Sequence, residues 1–195
     1  MNYIHKTVGG CVLAIAGMAG MAGAQPPPAA PVSTAVANPT YISIPMEIMV
    51  NKPAAEVWKR VGKYCDIGEW LQVACTITQG KDGEVGAVRS IGNEVLVGKT
   101  ELSYTYTQPV REGRAYIMYH GTLEARPVTA TTSKLVYTLM LDNSTLADDA
   151  ARDRDRAQRT TQFTRALENM KILVEGGTLP PPTARGGGKG GPPKQ

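Results

Sequence analysis

The chain has 195 residues, enough for one domain of ordinary size plus tails. Its formal charge of +4 comes from the ends: Lys6 near the start, and Arg185, Lys189 and Lys194 near the finish. The remaining 17 Lys and Arg are matched by 17 Asp and Glu, so the body is close to neutral. That excludes the concentrated basic face with which nucleic-acid binders displace counterions from phosphates.

The first 24 residues read as a signal peptide. His5 and Lys6 form a short polar start, Val8–Ala24 carries no charge, and Ala22-Gly23-Ala24 fits a small-x-small cleavage site. The apolar run is 17 residues long and holds five glycines, which is poor material for a membrane span. The expected mature chain starts at Gln25 and is exported, to the periplasm or the medium, with no transmembrane segment left. Residues 25–40 are rich in Pro and Ala and read as a linker. Residues 176–195 are rich in Gly and Pro and read as a disordered tail. One domain is expected over 41–175, and it is taken as a monomer.

Tyr41–Val50 reads as a strand. Asn51-Lys52-Pro53 opens a helix that carries Val57, Trp58 and Val61 inward and ends at Gly62. A second short helix over Ile67–Leu71 turns Trp70 to the core. Strands are expected at Thr76–Gln79, Gly86–Ile91, Glu94–Tyr106, Arg114–Arg126 and Ser133–Leu141, with Gly92-Asn93 among the turns between them. Thr145–Asp148 reads as a capping box. Phe163, Ala166, Leu167, Met170, Leu173 and Val174 then recur at helical spacing, which makes a long last helix with one apolar stripe. The half of that helix before Phe163 is mostly charged and is expected to project into solvent. The fold class is α+β, with an antiparallel sheet.

Cys65 and Cys75 are the only cysteines after Ala24. An even count in an exported chain favours a structural disulfide, which is expected here. Two buried thiols or a redox pair are the alternatives, and the nine intervening residues disfavour the latter. His120 is the only histidine after the signal, so multi-histidine metal sites are excluded and no metal or cofactor is expected. Any imidazole catalysis has to use His120, which reads either as a cavity group or as a surface strand residue. Arg89 and Glu101 read as mid-strand charges, expected on the outer face unless paired inside.

The order of elements, with Pro53–Trp58, Cys65–Trp70, Cys75 and Gly86-Ala87-Val88-Arg89, resembles the START-like (SRPBCC) superfamily, in its bacterial polyketide cyclase/dehydrase and lipid transport branch. The resemblance spans roughly Pro45–Glu175. It implies a helix-grip fold, a curved antiparallel sheet wrapped around the C-terminal helix with a cavity between. The expected ligand is a hydrophobic or amphipathic small molecule, lipid or polyketide-like. The expected ligand-contacting set is Trp70, Arg89, Tyr104, Tyr106, Tyr116, Met118, His120, Tyr137, Phe163, Leu167 and Met170. One alternative is a cyclase or dehydratase using a pocket His, Tyr or Arg. Another is an envelope interaction protein whose pocket is filled.

Overall fold

In this computed structural model residues 35–181 are described; the expected signal peptide, most of the expected linker and most of the expected tail lie outside them. The element order is β1 (Tyr41–Val50), α1 (Ala54–Val61), α2 (Ile67–Trp70), β2 (Ile77–Gln79), β3 (Val88–Arg89), β4 (Glu94–Lys99), β5 (Ser103–Thr107), β6 (His120–Pro127), β7 (Ser133–Asp142) and α3 (Asp149–Val174). The seven strands make one antiparallel sheet in the order β1-β7-β6-β5-β4-β3-β2. Period-two alternation fixes which side chains face α3. Ile44, Met46 and Val50 of β1 point inward with Leu135, Tyr137, Leu139 and Leu141 of β7. Leu123 and Ala125 of β6 and Tyr104 and Tyr106 of β5 continue this face. Helix α3 lays Phe163, Ala166, Leu167, Met170 and Leu173 on it, the expected stripe less Val174, which is half-buried. No residue of α3 before Phe163 is fully buried, but Ala151, Arg152, Asp155, Arg159 and Thr160 are half-buried, so its charged first half projects only in part. This is the helix-grip arrangement.

Several boundaries differ from expectation for local reasons. The expected strand 94–106 is two strands. Thr100 and Ser103 close a turn between them through a backbone hydrogen bond of 2.9 Å and a hydroxyl pair at 2.7 Å. Glu101 therefore sits on a turn, not mid-strand. The expected strand 114–126 starts only at His120, because Met118 takes a φ of +49° and breaks the extended run. Helix α3 is capped by Asp148, whose carboxylate accepts from the Ala151 N–H at 2.7 Å, while Thr145 stays exposed in the preceding turn. Beyond α3, Leu179 packs against the core and the Pro180 carbonyl accepts from Gln72, so the described start of the tail is tied back.

Asp142 ties the start of β1 to the end of β7. Its carboxylate accepts from the N–H groups of Thr40 (2.8 Å) and Ser144 (2.9 Å) and from the Ser144 hydroxyl (3.0 Å). Burial pushes this carboxyl up, but those donors outweigh it and hold it below its ordinary value. A depressed folded-state value contributes stability above the unfolded carboxylate value, and that stability is lost as pH falls through the depressed one. Asp142→Asn is expected to cost about 1–3 kcal/mol at neutral pH. In urea unfolding the gap between the two proteins should close in acid; a gap independent of pH would contradict the assignment.

Candidate functional site

The interior is built around one charge. The turn at Gly92-Asn93, both residues at positive φ, sets β3 against β4 and places Arg89 directly opposite Glu94. Both point inward, and Arg89 is 0% exposed. Arg89 Nε donates to Glu94 Oε2 at 2.8 Å, its Nη2 lies 2.6 Å from the same oxygen, and its Nη1 donates to the Tyr64 carbonyl at 2.8 Å. The guanidinium carbon lies 4.3 Å from the Tyr64 ring centre and 4.4 Å from that of Tyr106. Such stacking suits a weakly hydrated, planar cation. Burial works against the Arg89 charge, but Tyr104 and the Glu94 carboxylate outweigh it, and the guanidinium is held above its ordinary value. Burial also raises the Glu94 carboxyl, with Arg89 and Gln108 pulling it back only in part. The expected outer-face placement of Arg89 is therefore corrected. Its partner is Glu94, the residue immediately after the turn, and an inward charge is stable only with such a partner.

The space between sheet and helix is largely filled with rings. Tyr106 reaches Tyr137 through a hydroxyl pair at 2.8 Å, Tyr137 stacks on Phe163 at 4.6 Å, and Trp70 meets Tyr137 edge-on at 6.2 Å. Tyr106 lies across β6 because its cross-strand partner is Gly121. A Cβ on Gly121 would overlap the Tyr106 ring and hydroxyl. Trp70, Tyr137, Leu167 and Met170 are closed off in this core, each at most 1% exposed. The indole N–H of Trp70 and the hydroxyl of Tyr64 are buried with no hydrogen-bond partner among the described residues.

What remains open is a cavity of about 360 Å³ at one end of the grip. Ile67 and Leu71 come to it from the α2 region, Phe163, Gln162 and Arg159 from α3, and Glu94, Tyr106 and Gln108 from the sheet and the residue after β5. Ile117 and Tyr119 close the side. Gln108 Nε2 donates to Glu94 Oε1 at 3.2 Å, so the polar floor runs from Gln108 through Glu94 to Arg89. Arg159, held by Asp155 at 2.7 Å, stands over the Tyr119 ring at 5.5 Å.

Of the expected ligand-contacting residues, Tyr106 and Phe163 line this cavity, and Arg89 stands directly behind it. Tyr104 faces a different cavity beside α1, and Tyr116 lines an adjoining space of about 380 Å³ in the loop before β6. Met118 is in that irregular segment. His120 points to the outer face of β6 with Thr122 and Glu124, and its Nδ1–H donates to the Met118 carbonyl at 2.7 Å. The candidate imidazole is thus not gathered with Arg89 and the tyrosines. Glu94, Gln108, Tyr119 and Arg159 were not foreseen. For Glu94 a signal existed, an opposite-charge pair flanking a turn; for Arg159 there was none in a helix stretch full of arginines. Cys65 and Cys75 are joined, with Cα atoms 5.6 Å apart, fixing the start of α2 to the approach of β2. Among the described residues no helix is long and apolar enough to cross a membrane.

No family model matches the sequence, and a search of curated proteins finds no match. Solved structures do match. A Thermobifida fusca protein determined by NMR superposes with TM-score 0.54 at 24% identity, over 70% of this chain and 97% of that one. XoxI from Bacillus cereus gives 0.50 at 14% identity, over 69% and 96%. The Zhui aromatase/cyclase of Streptomyces sp. R1128 gives 0.49 at 16% identity, over 71% and 100%. The first two establish a shared fold; at such identities they say nothing of activity.

Gly121→Ala tests the ring packing. The added methyl has to displace Tyr106, at a cost of about 1–3 kcal/mol typical of overpacking. Denaturant unfolding should show that loss, and an unchanged midpoint would mean that Tyr106 does not lie across Gly121.

Proposed function

We propose that this is an exported binding protein for a compact amphipathic small molecule, held in the cavity between α2, α3 and the sheet. The observation that supports this most is the pairing of apolar walls (Ile67, Leu71, Phe163) with a hydrogen-bonding floor (Glu94, Gln108) in one half-open cavity. Apolar walls with a few fixed polar groups are the usual make-up of small-molecule sites, and about 360 Å³ is near their lower end. That size favours a ring-sized molecule over a whole diacyl lipid or a long polyketide. Export rests on the character of residues 1–24 and agrees with the Cys65–Cys75 bond.

A second reading is acid–base chemistry on the bound molecule. The Glu94 carboxyl favours it, because it borders the cavity and burial raises its pKa. Under that reading a molecule offered to the protein is recovered with altered mass; under the first it is recovered intact.

Native mass spectrometry of the protein purified from its own source, then titrated with 2-naphthol, tests the binding reading. We expect a releasable mass or a naphthol adduct. Gln162→Trp, at an exposed position on the cavity mouth, should weaken naphthol binding roughly tenfold, about 1.4 kcal/mol. No carried mass and no adduct, or full binding by the variant, would overturn it. The same spectrum reports whether the chain starts at Gln25.

A further inference from the structure

A second cavity, of about 560 Å³, lies on the other side of the Arg89 cage, between α1 and the β4–β5 hairpin. It does not involve α3. Its apolar wall is aromatic. Trp58 and Tyr104 meet at 5.6 Å, and Tyr64 meets Tyr104 edge-on at 5.5 Å. Leu96 completes that wall. The indole of Trp58 can lie back over the end of α1 only because residue 62 is glycine; a Cβ there would overlap the ring. Tyr64 and Tyr104 are almost fully buried, whereas Trp58 is half-exposed, so the wall is rigid behind and open in front.

The rim is cationic. Lys59 and Lys63 come from α1 and its C-terminal end, and Lys99 comes from the end of β4. All three are exposed, and none forms an ion pair among the described residues. Elsewhere an exposed lysine does find a partner, as Lys81 does with Glu84. Lys99 is held at the rim by donating to the Gly83 carbonyl at 2.6 Å. Glu101, the one acidic residue of the lining, leaves the rim with an excess of two positive charges. Aromatic surface below and ammonium groups above select for one chemistry. The body must be aromatic and the head anionic.

We propose that this cavity is a second binding site, for an anionic aromatic molecule such as an aryl carboxylate or sulfonate. Its rings lie against Trp58 and Tyr104, and its anionic group faces Lys59, Lys63 and Lys99. The site is independent of the cavity under α3 and stands or falls separately from it.

The test uses the full chain and two probes of like shape and different charge. They are 1-anilinonaphthalene-8-sulfonate, which is anionic, and N-phenyl-1-naphthylamine, which is neutral. Trp58 and Trp70 are the chain's only tryptophans, so their two indole N–H resonances report the location directly. The sulfonate should move the Trp58 resonance and leave that of the buried Trp70 in place. Its affinity should fall roughly tenfold in Lys59→Gln/Lys63→Gln/Lys99→Gln and fall with added salt. The neutral probe should change by no more than about twofold under both, since it has no charge to screen. The lysines are exposed, so the variant should fold. An anionic probe that is indifferent to the lysines, that fails to bind the wild type, or that moves Trp70 and not Trp58 overturns the proposal.

Discussion

An arginine keeps its proton under any condition in which this protein folds, so burying one commits its neighbourhood to a cation. Arg89 is fully buried, and the surrounding structure answers that commitment group by group. Glu94 supplies the counter-charge from the neighbouring strand, the Tyr64 carbonyl takes another N–H, and two tyrosine faces cover the guanidinium. Such a pair contributes little net stability once desolvation is counted, but removing one partner is expensive. Its effect here is on arrangement. Tyr64 is drawn in from the segment after α1 and Tyr106 from β5, and the two aromatic walls that follow divide the inside of the grip.

That division decides what the fold can hold. An empty grip would offer one large chamber under α3. Here Trp70, Tyr106, Tyr137 and Phe163 fill its middle, which leaves a cavity under α3 apart from the one beside α1. The first mixes apolar walls with the Glu94–Gln108 floor; the second mixes rings with lysines. Their chemistries differ because Glu94 and Gln108 border the first, while Tyr64 and Tyr104 border the second.

Much of this was legible in the sequence. The stripe on α3 and the alternation in β7 are strong periodic signals, and they place both halves of the core. The cysteine count in a chain with a signal-like start pointed to the disulfide. Local chemistry without a composition signal was harder to read. The β4–β5 turn is made by a Thr–Ser hydroxyl pair, not by Gly or Pro, so the sequence reads as one continuous strand with Glu101 in its middle. Met118 at positive φ is not foreseeable from a methionine in a run of strand formers, and it moved the start of β6. Arg89 shows the weight of pairing. Taken alone, a strand arginine belongs outside; taken with Glu94 across the turn, it can go in.

The central claim is that Arg89 and Glu94 act as one unit on which the interior depends. A double-mutant cycle with Arg89→Met and Glu94→Leu, read by denaturant unfolding, measures that directly. Each single change should cost about 3–5 kcal/mol, because it strands a buried charge. The double variant, with no charge left inside, should lose far less than the two costs together. If the two losses simply add, the residues are independent and the interior is not organised around their pairing.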